Sequence, residues 1–270
     1  MGMTDTGVTF ARSIIERLDP WVNELAAPLL PLRLVPVGDH WLRREFSIER
    51  PEAVMVGKLV RAASGISAAM LLSDAGYITE SGSVLRVASD FCTEITAVGE
   101  ALHRGEPLPR AVADFVAQYF TPKVTTPDEL AASDRIHYVS REELMKAEVR
   151  LADAASLDSA KVRTLHRFLN MSYDAYVHGA YETTMELYDP AMARFALRGF
   201  PSAELRLEHT EAVALVLHPV VVAVELTAHV TSSSAVFQEA RDARRAMDGR
   251  EPWKVDVDQA RSLSRRSAKS

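Results

Sequence analysis

The sequence predicts an all-α fold, a multi-helix bundle with mostly antiparallel neighbours. Three observations predict it. Apolar residues recur at helical spacing, most clearly at Val84, Ala88, Phe91, Ile95, Val98 and Leu102, which step by 4, 3, 4, 3 and 4 residues. That stepping holds them in one narrow stripe along a helix. Glycine is scarce, at 12 in 270 residues, against roughly 7% in an average protein. Helix punctuation also falls at the ends of the periodic runs, with Pro51 at a first helical position and Gly76, Gly105 and Pro107 past helix ends.

Taken in order, residues 9–30 read as a helix broken near Pro20. Pro28, Pro31 and Pro36 make residues 28–38 irregular, because each proline removes a backbone donor and disfavours helix before it. Residues 50–75 form a helix with Met55, Leu59, Ala63, Ile66 and Met70 on one face. Helices over residues 81–103 and 108–120 follow. Thr126 with Glu129, and Ser140 with Glu143, have the capping-box spacing, and the second box opens a helix to about residue 155. A further helix runs over residues 159–179 and extends toward residue 188. Residues 202–247 read as one long helical region bent at Pro219. The Val220, Val221, Val222 run inside it is assigned to helix because its flanks keep helical period and hold no turn residues. The organisation expected is an N-terminal segment (1–48) packing on a main bundle (49–248), then a basic, disordered tail (249–270) with Arg261, Arg265, Arg266 and Lys269.

Composition narrows the function. A net charge of -6 gives no global attraction to phosphate, so nucleic acid would need a local basic patch. The one cysteine, Cys92, excludes an intramolecular disulfide framework and reads as an inert core thiol beside Phe91. No signal-peptide pattern opens the sequence, so a cytoplasmic chain is expected. Residues 212–231 are apolar and long enough to span a bilayer, yet they include His218, Pro219, Glu225 and His229. Ionisable groups are costly in lipid, so a buried helix and no membrane partner are expected. There is no Gly-x-Gly-x-x-Gly loop, Walker loop or Gly-x-Ser-x-Gly elbow, and no cofactor is expected.

Three polar stripes could carry chemistry. Arg86, Asp90 and Glu94 recur every four residues, opposite or flanking the apolar stripe of their helix. They make either a solvated face or one wall of a polar crevice. Arg163, Arg167, Asn170, Asp174 and His178 step by 4, 3, 4 and 4 residues opposite Val162, Leu165, Leu169 and Tyr176. An imidazole, a carboxylate and two guanidinium groups suit acid–base or phosphate-binding work, and suit water equally. Glu211, His218, Glu225 and His229 fall near one face, and Glu225 with His229 one turn on could be a metal half-site. The Glu-x-x-His pattern of di-metal bundles is absent, so no metal site is assigned.

The run over residues 76–94, with Arg86, Asp90 and Glu94, resembles a helix of uncharacterised bacterial proteins related to HEPN domains. The run over residues 170–178, with Asn170, Ser172 and His178, resembles their later helix, and the likeness covers about residues 69–179. It implies a helical bundle with a groove lined by Arg86, Asp90, Glu94 and His178 as catalytic candidates, and Arg163, Arg167, Asn170 and Asp174 around them. It further implies RNA binding, or RNA processing in defence systems, often by dimers. HEPN ribonucleases carry Arg, four to six residues, then His; this chain has that spacing at Arg33 and His40, inside the proline-broken segment. The alternatives are a non-catalytic interaction module or homodimer with a protein partner, and a metal-dependent bundle enzyme.

Overall fold

A computed structural model describes residues 5–37, 41–105, 107–121, 140, 142, 146–147, 149–150, 160, 171, 173–199, 202–248 and 250. The chain is an all-α multi-helix bundle with two small antiparallel strand pairs. Helix α1 spans Asp5–Ala26, α2 Pro51–Asp74, α3 Ile78–His103 and α4 Arg110–Phe120. Then come the short α5 (Tyr181–Met185), α6 (Ala203–Val230) and α7 (Ser234–Asp248).

Helix α6 is the hub, packing against α1, α2, α3 and α7. Its Val213, Leu217, Val220 and Val224 are fully buried with Leu18 and Trp21 of α1, Leu59 and Ile66 of α2, and Ile95 of α3. Burying side chains of this size contributes about 1.5–3 kcal/mol each before the entropy of ordering is subtracted. Residue pairings fix directions. Ser81 donates to the Ala69 carbonyl while Gly99 faces Met55, so α3 runs antiparallel to α2. The α6–α7 pair is antiparallel too, with Glu225 beside Arg244 and His218 beside Asp248. Helices α3 and α6 instead run parallel, because Gly99 faces Leu226 and His103 faces His229. A Cβ on Gly99 would lie 2.5 Å from Leu226 Cδ2, so a bare backbone is what lets these helices approach.

Several expectations are corrected. Helix α1 runs unbroken through Pro20, whose ring sits on the exposed face. Within the 28–38 stretch expected to be irregular, residues 33–37 instead form a strand, β1 (Arg33–Val37), paired antiparallel with β2 (Trp41–Glu45), with Pro36 opposite Leu42. A two-stranded ribbon leaves each strand an outer edge, where a missing donor does no harm. The region 202–247 is two helices: α6 continues through Pro219, and the chain turns at residues 231–233, with Ser232 at φ 60°. The helix ending near 179 does not extend toward 188; Gly179 at φ 60° closes it, and α5 leads into β3 (Tyr188–Asp189) and β4 (Arg194–Phe195). Cys92 is buried, as read from its position. The capping boxes at 126–129 and 140–143 lie wholly or partly outside the described residues, as do His40 and the 251–270 tail.

Two helical stretches, Pro51–Asp74 and Leu205–Val230, are long and apolar enough to cross a membrane, and about half of the apolar window in each is buried in the bundle.

Two substitutions test this packing. Gly99→Val should lower unfolding stability by about 1–3 kcal/mol in urea denaturation, the usual cost of overpacking a tight contact. At the α6–α7 clasp, the hydrogen bond from His218 holds the Asp248 carboxyl below its ordinary range against partial burial, and Arg244 adds to the effect. Stability from a depressed carboxyl is present above its unfolded pKa and lost as pH falls through the folded one. Asp248→Asn should therefore flatten the acid limb of stability against pH, measured by thermal unfolding from pH 6 down to pH 2.

Candidate functional site

The polar side chains gather where residues 173–186 lie across the N-terminal halves of α3 and α6. Three contacts dock this segment. The Tyr173 hydroxyl donates to the Ala212 carbonyl at 3.1 Å. The Tyr176 ring lies over Gly82 of α3, where a Cβ would stand 2.5 Å from the ring. Asp174 reaches Arg86.

Arg86 is the centre of this arrangement. It is 3% exposed, its Nε donates to Asp174 Oδ1 at 2.5 Å, and its Nη1 pairs with Asp90 Oδ1 at 2.5 Å. Burial works against the charged guanidinium, but hydrogen bonds and charge from Asp90 and Asp174 outweigh it and hold the group above its ordinary pKa. Arg86 is therefore a neutralised clasp between α3 and the helical residues 173–177, not part of a solvated face. A buried charge with both carboxylates in place is tolerable, whereas one left unpaired is costly.

Beside it is a cluster that sequence spacing did not reveal. The Tyr176 hydroxyl donates to Glu186 at 3.2–3.3 Å and lies 3.4 Å from His209 Nε2, which in turn is 3.5 Å from Glu186 Oε2. Burial first, then the charge of and hydrogen bond to Glu186, push the Tyr176 phenol well up, so it acts as a donor. His209 is buried, and its Nδ1 has no partner among the described residues. Chemically, the cluster holds a proton in place.

The other sequence-marked residues lie elsewhere. Glu94 pairs with Lys58 of α2 at 2.7 Å, in a nest where the Lys58 ammonium faces Phe91, Phe115 and Tyr119 at 5.0–5.6 Å. Burial raises the Glu94 carboxyl, the Lys58 pair opposes it, and Asp90 adds to the rise. His178 is exposed in the turn after Asp174, tied there by its backbone N–H. The structure thus brings Arg86, Asp90 and Asp174 together, and places Glu94 and His178 apart from them. Arg163, Arg167 and Asn170 lie outside the described residues.

The α6 row is dispersed. His218 pairs with Asp248 at 2.8 Å, Glu225 with Arg244 at 2.6 Å, and His229 with His103 at 3.1 Å, so no three of the row converge. A buried carboxylate, Glu100, is held between Arg104 and Arg150 at 3.0 Å each. Arg33 of the Arg33–His40 spacing pairs with Glu45 and Glu49 across its hairpin. An open cleft of about 180 Å³ between Leu25, Leu29 and Val230 contains Arg50 and Glu52, which face each other at 3.8 Å.

No family model, curated protein or solved structure matches the chain.

The clasp predicts an ordering of variants. Removing both carboxylates (Asp90→Asn with Asp174→Asn) strands the guanidinium and should cost about 3 kcal/mol, the low end for a buried pair because both carboxylates are partly exposed. Arg86→Met removes the charge itself and should cost about 1 kcal/mol or less. Urea denaturation of the two variants checks the order.

Proposed function

We propose that the chain is a non-catalytic interaction module that pairs with a second copy of itself through residues 181–199. The observation that carries this reading is a concentration of exposed large apolar side chains. Tyr181 and Leu197 are each 76% exposed, and Tyr188, Met192 and Phe195 stand beside them in a short stretch. Scattered exposed apolar residues are ordinary, but grouped aromatic and methionine side chains mark contact surfaces. The same stretch carries Glu182 and Asp189 with Arg194 and Arg198. A surface with both charge signs can complement itself across a two-fold axis. Burial of both apolar helices within the bundle supports a cytoplasmic protein with no membrane partner.

The RNA-binding or RNA-processing reading follows from the HEPN resemblance and asks Arg86 to meet phosphate and His178 to move a proton. The burial of Arg86 between two carboxylates favours the interaction reading over it. The metal-dependent enzyme is disfavoured by the three separate partners of the α6 row.

Sedimentation velocity over a wide concentration range tests the proposal. The wild type should dimerise, and Tyr181→Ser with Leu197→Ser should weaken the dimer at least tenfold. A wild type that stays monomeric throughout contradicts it. An RNA-degradation assay should find neither wild type nor His178→Ala active; cleavage that His178→Ala abolishes would establish the RNA reading instead.

A further inference from the structure

The geometry points to a two-histidine binding site for a divalent transition-metal ion, Zn²⁺ or Cu²⁺, formed by His103 of α3 and His229 of α6. The two residues are far apart in sequence, and spacing gave no hint of the pair. Their juxtaposition follows from the parallel α3–α6 contact. Leu226 lies against Gly99, and one turn further along each helix come His229 and His103, with Nδ1 of His103 3.1 Å from Nε2 of His229.

Three features of this pair fit a metal ion. The first is the separation. Two nitrogens bound at about 2.0–2.1 Å lie roughly 2.9 Å apart in a square arrangement and roughly 3.3 Å apart in a tetrahedral one. The observed 3.1 Å lies between them, so an ion could enter with small ring movements. The second is access, since both imidazoles are exposed and leave the remaining coordination positions to water. The third is the field. His103 and His229 occupy the last turns of their helices, whose unpaired carbonyl ends favour a cation. The rings are also held in advance: His229 packs against Phe237 of α7 at 5.8 Å and His103 against His229 at 5.1 Å.

The charged groups nearby are already engaged. Arg104, next to His103 in sequence, is tied to Glu100, and Glu225, one turn before His229, is tied to Arg244. Without metal, one contacting nitrogen carries a hydrogen and the other accepts it. On binding, both nitrogens present lone pairs, and that hydrogen transfers through solvent to the far nitrogen of its own ring. No net proton is released when both rings are neutral. Among the described residues no third side chain converges, which makes this an open site rather than a closed structural one.

Titration calorimetry with Zn²⁺ and electron paramagnetic resonance with Cu²⁺, on the full chain after chelation and dialysis, test the proposal. The wild type should bind one ion whose Cu²⁺ spectrum shows two equivalent-class nitrogen ligands. His103→Gln and His229→Gln should each weaken that site at least tenfold, and the double variant should bind no more tightly than the worse single one. Circular dichroism should be unchanged in all three, since both rings are exposed. Binding that both substitutions leave intact, or no binding above that of the double variant, overturns the site.

Discussion

A guanidinium buried at the N-terminal half of α3 sets the arrangement of everything around it. Arg86 keeps its proton and is only 3% exposed, so its charge needs carboxylate partners. Asp90 arrives from the next turn of the same helix, and Asp174 arrives from a segment far away in sequence. The second requirement ties residues 173–186 to the bundle. Once the segment is tied, Tyr176 falls on Gly82 and reaches Glu186 and His209. The apolar 181–199 stretch is thereby presented from a fixed base.

Two glycines of α3 divide its labour. Gly82 admits the Tyr176 ring at one end, and Gly99 admits Leu226 at the other. Each is a place where a side chain would collide, and each is one turn from a polar grouping: Arg86 beyond Gly82, and His103 beyond Gly99. Close backbone approach thus decides which distant polar residues meet. The buried α6 core supplies the stability against which these meetings are held.

The helices themselves were legible because the apolar period and the punctuation agree, as at Pro51 and Gly105. Elements whose outcome depends on partners were less so. Pro20 read as a break, yet the flanking turns pack well enough to carry helix through it, as helix also continues through Pro219. Residues 231–233 turn without glycine or proline, and the split between α6 and α7 is marked only by the Thr231-Ser232-Ser233-Ser234 run, which the sequence reading passed over. The polar rows were visible as rows, but their sorting was not. Periodicity placed Arg86 opposite an apolar stripe and left open whether it met water or a neighbouring helix, because α3 is covered on several sides and the stripe is only one of its buried faces. Tyr176 read as an apolar-face residue, and its hydroxyl turns out to anchor a cluster with Glu186 and His209. Cross-helix pairs such as His103 with His229 and Lys58 with Glu94 depend on register between helices, which no single-helix pattern encodes.

The account stands on Arg86 being a buried, neutralised clasp rather than a phosphate contact. The most direct measurement is the exchange of its Nε–H with solvent, followed by nitrogen-edited NMR, with and without a single-stranded RNA oligonucleotide. A proton hydrogen-bonded to Asp174 in a buried site should exchange slowly and keep its shift when RNA is added. Rapid exchange, or a shift that tracks RNA concentration, would contradict the clasp and return Arg86 to an open groove.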